Sequence, residues 1–206
     1  MSSEQVARVT DLLHMNRIKT ECGMTEDEIV VAQGFYDVTF PPDLAELLVA
    51  FTPTADKFYR WADYSPENIN ANTDMLAWPT DGTLFDVEHN DFWLTTWGDK
   101  PDDMAIRLRI ACKEMRKAPK LIPVFAHRYV SSFPKEAGNP VYSAYQTDII
   151  FYGHDIWDYF EIEFGSKRQS QIDFDSIKHI PFWNDMILNI GRLAEPGITD
   201  ERALSA

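Results

Sequence analysis

Two groups of polar side chains stand where chemistry could be done. His127, Arg128 and Tyr129 interrupt one strongly apolar run, and Gln146, Thr147 and Asp148 interrupt another. If the two runs pair as strands, Arg128 and Asp148 meet across the sheet in a charge-assisted, bidentate contact. Polar residues inside core strands break the local pattern, and such breaks concentrate at functional sites. They also arise as satisfied polar networks that fix strand register. The candidate set is therefore His127, Arg128, Tyr129, Gln146 and Asp148, as a structural polar cluster or a ligand site. Catalysis would further need a nucleophile beside an activating base. Ser143 and Tyr145 are the nearby candidates, and neither has such a base in view.

A second group runs Asp86-Val-Glu88-His89-Asn90-Asp91. Oxygen ligands with one imidazole suit several hard cations. A hairpin turn wants the same residues for local reasons, so no metal is assigned. Trp93, Trp97, Trp157 and Trp183 add large aromatic surface. Tryptophan dominates protein-interface hot spots, although it also carries much of a core's burial. Glu88, Asp91, Trp93 and Trp97 are therefore candidate protein-binding residues. The chain has no Gly-rich phosphate cradle, no G-x-S-x-G elbow, no H-E-x-x-H and no C-x-x-C. No catalytic residue and no cofactor follow from it.

The elements that must position these residues are read from spacing and punctuation. Val6, Val9 and Leu13 recur at helical spacing. Asn16 to Gly23 is a polar break. Thr25 with Glu28 forms a capping box, so a helix should run to about Gly34. Leu44, Leu47, Leu48 and Phe51 form the apolar stripe of a helix led in by Pro41-Pro42. Phe58 to Asp63 suits a strand. Ser65-Pro66 opens a helix that should reach Ala77, because Pro79 forbids continuation. Asp81-Gly82 marks a turn. Leu84–Val87 and Phe92–Trp97 read as two strands. Asp103 to Lys117 is helical, with Met104, Leu108, Ala111, Cys112 and Met115 on one stripe. Leu121–Val130 and Val141–Tyr152 are the best strands, rich in β-branched and aromatic residues. Asp155 caps a helix bearing Ile156, Tyr159, Phe160 and Phe164. Ile180 to Trp183 begins a last helical segment that packs back.

Helices precede strands and long βα alternation is absent, so the expected class is α+β. An antiparallel sheet should carry helices packed mainly on one side. The expected boundaries are a helical extension over 1–22, one α+β domain over 23–195 and a disordered tail over 196–206.

Charge narrows the function classes. Nineteen Lys and Arg face 33 Asp and Glu across 206 residues, a net charge of -14. Phosphate backbones and anionic membrane surfaces repel such a chain, so neither nucleic acid nor membrane is the expected partner. A basic protein is attracted and steered at long range. Solubility alone also accounts for an acidic surface. Cys22 and Cys112 form no disulfide framework, no secretory signal is visible, and no apolar run approaches the roughly 20 residues of a membrane helix. The cytoplasm is the default compartment, and the oligomeric state is left open.

Gly23-Met-Thr-Glu-Asp-Glu-Ile29 followed by Phe40-Pro-Pro-Asp-Leu-Ala-Glu-Leu-Leu48 resembles the opening of the SUKH superfamily. That group includes fungal cell-wall-synthesis regulators and many bacterial immunity proteins. Leu84 to Trp93 with Trp97-Gly98, Leu121 to Tyr129, Gly138 to Val141 and Gln146 to Gly153 look like a longer bacterial subgroup. Ala126 stands where that pattern suggests glycine. The resemblance implies an α+β fold, no catalytic activity, and a role in binding and blocking a toxin, often a nuclease. A basic nuclease site would complement an acidic inhibitor. The expectation is a non-catalytic binder, with a cytoplasmic regulator or scaffold and a small-molecule or metal binder as the alternatives.

Overall fold

The computed structural model describes residues 2–193, so the tail expected over 196–206 lies outside the described residues. Its first helix, α1 (Ser2–Met15), buries Val9, Leu12 and Leu13 in the main core. α1 is thus part of the packed body and no loose extension. The expected polar break contains a short strand, β1 (Thr20–Cys22), which pairs antiparallel with β2 (Phe51–Pro53). Between them lie α2 (Glu26–Tyr36) and α3 (Pro42–Ala50). The capping box is present: Thr25 Oγ1 accepts from the Glu28 amide at 3.2 Å, and the Thr25 amide donates to Glu28 Oε2 at 2.8 Å. Leu44 and Leu47 of α3 bury as the stripe requires and Leu48 is half-buried, but Phe51, expected on the same stripe, already belongs to β2, where it is buried.

Phe58 to Asp63 is not a strand. It is a loop with one bridge, Phe58 to Phe125, around the buried Trp61. Its backbone is satisfied by side chains of the next helix: Asn68 Nδ2 donates to the Arg60 and Asp63 carbonyls, both at 2.7 Å. That helix, α4 (Pro66–His89), runs straight through Pro79 and through the expected turn at Asp81-Gly82. Pro79 has no N–H for the Met75 carbonyl, which would leave an orphan acceptor. The Tyr129 hydroxyl fills the gap, donating to that carbonyl at 3.1 Å. Leu84 to Val87 is the last part of α4, and Phe92 to Trp97 is a loop ending in one 3-10 turn, so neither is a strand. α5 (Met104–Met115) follows, capped by Asp103 and burying Ala111 and Met115.

The two long strands of the sequence reading are two hairpins. β3 (Leu121–Phe125) turns at Ala126-His127 into β4 (Arg128–Ser131), and β5 (Val141–Tyr145) turns at Gln146-Thr147 into β6 (Asp148–Gly153). Ala126 and Gln146 open these two-residue turns with φ of 47° and 54°. Positive φ is what such a turn demands, and glycine supplies it most easily. The four strands form an antiparallel meander in the order β3-β4-β5-β6. α6 (Ile156–Glu163) and α7 (Trp183–Leu193) complete the described chain.

The expected α+β class with an antiparallel sheet is what the structure has. Alternation along the strands divides the core in two. Ile122, Val124, Val130 and Val141 face a layer from α1, α2, α3 and α6. Leu121, Tyr129, Tyr142, Ala144 and Ile149 face Met75 of α4, Met115 of α5 and Trp183 and Met186 of α7. The larger helical layer covers one face, and the second face is covered as well.

Candidate protein-binding site

The polar cluster expected around Arg128 does not assemble as expected. Arg128 and Asp148 do not meet. Arg128 opens β4 opposite Ser143, whereas Asp148 pairs with Tyr145 at an exposed hairpin end. His127 and Gln146 occupy turns, and Tyr129 points to the opposite face from Arg128. Arg128 instead faces α6. Its Nη1 donates to Ser143 Oγ at 2.8 Å, its guanidinium lies 3.9 Å from the Tyr152 ring centroid, and its Nε sits 3.4 Å from Glu163 Oε2. Arg128 Nε, Glu163 Oε2 and the Tyr159 hydroxyl are buried there without a hydrogen-bond partner. Burial, reinforced by Glu163, raises the Tyr159 hydroxyl well above its ordinary pKa. Burial, helped by Arg128 and Lys57, lowers that of His127. This group braces α6 against the sheet. Ser143 has a guanidinium as its partner, and guanidinium cannot take up a proton. The second candidate nucleophile, Tyr145, is exposed on the hairpin end.

Of Glu88, Asp91, Trp93 and Trp97, only the two tryptophans are in contact with each other, just after α4; Asp91 pairs elsewhere in the loop and Glu88 lies 3.7 Å from His89. Asp86 serves the fold there. It is 4% exposed, its Oδ1 accepts from Asn90 at 2.6 Å, and its Oδ2 accepts from the Thr147 amide and hydroxyl at 2.9 and 2.6 Å. Trp93 and Trp97 stack edge to face with centroids 5.3 Å apart, and Trp93 Nε1 donates to the Gly98 carbonyl at 2.8 Å. Asp91 is paired with Lys100 and Arg107. Lys100 first, with Arg107, holds its carboxyl below the ordinary carboxylate range against a smaller opposing effect of burial. Asp91 is thus matched within the loop, whereas Asp99 and Asp102 on the same connection are exposed and have no ion-pair partner among the described residues. Among the described residues no group of three or more His, Cys, Asp or Glu is placed to hold a metal ion.

The better-fitted surface lies elsewhere, and of the four tryptophans weighed as interface residues only Trp157 belongs to it. α1 crosses α6, tied by Arg8 to Glu161 and by Asn16 Nδ2 to the Phe164 carbonyl at 2.6 Å. Asp155 fixes the start of α6 by accepting from the Asp158 amide at 2.7 Å. Between the helices runs an open groove of about 680 Å³. Ala7, Leu12 and Trp157 supply its apolar floor. Glu4, Asp11, Asp155, Asp158 and Glu161 ring it, against Arg8 and His154. Asp158 is matched by Lys167 and His154, and Glu161 by Arg8. Glu4 and Asp11 are exposed and make no ion-pair contact among the described residues, although Asp11 lies close enough to Arg8 to favour its charged form alongside Glu161. Glu4, Arg8 and Asp11 sit at i, i+4 and i+7, one stripe of α1. An apolar floor under unmatched carboxylates receives a Lys or Arg side chain well, because such side chains carry an apolar stem and a charged head. No helix among the described residues is long and apolar enough to cross a membrane. No family model, curated protein or solved structure matches the chain.

Proposed function

We propose that this chain is a non-catalytic binding module that captures a basic protein domain, acting in the cytoplasm as an immunity protein against a co-encoded toxin such as a nuclease. The observation that carries this reading is the α1–α6 groove, with its apolar floor and the unmatched carboxylates Glu4 and Asp11. The net charge of -14 supports it, because it speeds and orients encounter with a basic surface. The SUKH resemblance of Gly23–Ile29, Phe40–Leu48 and the two hairpin-turn runs supports the same reading. The α+β fold with its antiparallel sheet is of the class that resemblance implies.

The test uses the product of the adjoining reading frame. Co-expression should protect cells from that product, and the purified pair should form a stoichiometric complex that blocks the product's activity. An adjoining product that is harmless, or that retains full activity with the chain in excess, contradicts the reading.

A further inference from the structure

A second groove is lined by a different set of elements and by no carboxylate. It runs between α2, α4 and the α5–β3 connection, with a volume of about 610 Å³, within the range of small-molecule sites. Phe35, Leu76, Pro119 and Trp183 give it apolar walls. Its wall residues on α4 run from Ile69 to Thr80, so the groove follows three helical turns, about 16 Å. That shape suits one extended chain better than a compact ring system.

The polar atoms of the walls are mostly engaged. Trp183 Nε1 donates to the Pro119 carbonyl at 2.7 Å, and the Tyr36 hydroxyl accepts from Asn72 at 3.2 Å. Lys120 at the rim is matched by Asp37. The Thr73 and Thr80 hydroxyls and the Arg116 guanidinium make no side-chain hydrogen bond among the described residues, and Thr73 and Arg116 are exposed to solvent at the groove's edge. Phe35 at the mouth is 52% exposed, with Tyr64 packed edge to face at 5.1 Å. Phe35, Leu76, Pro119 and Trp183 would give an apolar chain its contacts along the groove. An unpaired guanidinium at the lip favours a carboxylate, which it can hold bidentately.

We infer that this groove binds a medium-chain aliphatic carboxylate, with its chain along α4 and its head on Arg116. This site is independent of the protein-binding reading. The chain's overall charge makes the inference discriminating. A protein of net charge -14 attracts cationic amphiphiles and repels anionic ones wherever contact is unspecific. A preference for the anion must come from the groove.

The experiment is calorimetric titration of the full chain with dodecanoate and with dodecyltrimethylammonium, both below micelle formation. Dodecanoate should bind one to one with Kd below about 0.1 mM, and the cation at least about tenfold more weakly. Arg116→Glu should weaken dodecanoate about tenfold and leave the cation no weaker. Thr73→Trp, at an exposed helical position, should fill the groove and abolish binding. Circular dichroism melts report whether each variant is folded, and Arg116→Glu decides the matter if Thr73→Trp is not. The inference is overturned by absence of saturable dodecanoate binding, by equal binding of the cation, or by a dodecanoate affinity that Arg116→Glu leaves unchanged. It is also overturned if light scattering shows a dimer that Thr73→Trp dissociates, since the groove then belongs to a second copy of the chain.

Discussion

The Tyr129 hydroxyl donates to the Met75 carbonyl at 3.1 Å, the acceptor that Pro79 leaves without its helical partner. Tyr129 is fully buried on β4, and burial first, with Tyr59 adding to it, pushes its hydroxyl pKa far above the ordinary value. It stays a donor at every working pH. One side chain of the sheet thereby completes a helix on the layer above.

Tyr129→Phe should therefore cost about 1–2 kcal/mol, because it leaves a buried carbonyl unsatisfied. In a Pro79→Ala background the new amide can reach the Met75 carbonyl, and the same substitution should cost distinctly less. Urea unfolding of the four members of this double-mutant cycle measures the difference. Equal costs in both backgrounds contradict the role given to Tyr129.

The end of α4 holds the β5–β6 turn in the same way. A Cβ at Gly82 would lie 2.8 Å from Gln146 Cα, closer than real contacts allow. Gly82→Ala gains up to about 1 kcal/mol of helix propensity. The clash should outweigh that gain, for a net loss on the order of 1 kcal/mol. Asp86→Ala removes the acceptor of both Thr147 bonds and should cost on the order of 3 kcal/mol. Unfolding midpoints of the two variants provide the check. A stabilised Gly82→Ala would show that α4 and the turn are not in close contact.

Legibility followed the range of the interactions. The capping box at Thr25 and Glu28, the Leu44 and Leu47 stripe of α3 and the Asp155 cap are local, and each is present as spacing suggested. Pro79 was misleading because its compensation comes from Tyr129, 50 residues away in sequence and on another element. Gly82 looked like a turn because a close approach and a left-handed φ ask for the same residue. His127 and Gln146 looked like polar breaks inside strands because Ala126 and Gln146 carry positive φ without being glycine. The partner of Arg128 is Glu163 on α6, which no strand pairing could indicate. The α1–α6 groove was missed because α1 looked like an appendage. The stripe Glu4, Arg8, Asp11 beside the buried Leu12 was the available signal.

Arg128 acts as a brace, so its loss should be read in stability. Arg128→Ala should lower stability by about 2 kcal/mol, less than a fully buried pair, because the two side chains are 13% and 20% exposed. Arg128→Met with Glu163→Leu should recover most of that loss, since no unpaired charge is left. Partner binding should be unchanged in both. A variant that keeps its melting temperature but loses binding would make Arg128 part of the interface.

Asp158 gives the acid response of the groove's base. Burial raises its pKa, but Lys167, the His154 amide and His154 together outweigh burial and hold it below the ordinary carboxylate value. The folded form then binds fewer protons than the unfolded form between the two values. Its stabilisation is present above the unfolded carboxylate range and is lost as pH falls through the lower, folded value. Thermal melts across acidic pH should show a steeper decline for the wild type than for Lys167→Met. Parallel declines would contradict the pairing.

The most direct measurement of the proposed function is the affinity for the basic partner after charge reversal inside and outside the groove. Glu4→Lys with Asp11→Lys changes two exposed, unmatched carboxylates of the groove, and Asp99→Lys with Asp102→Lys makes the same change in net charge on the α4–α5 connection. Titration calorimetry should show the first pair weakening binding by at least about tenfold and the second by less than about threefold. Equal losses for the two pairs would mean that net charge alone is responsible, and no loss for the first pair would remove the groove from the interface.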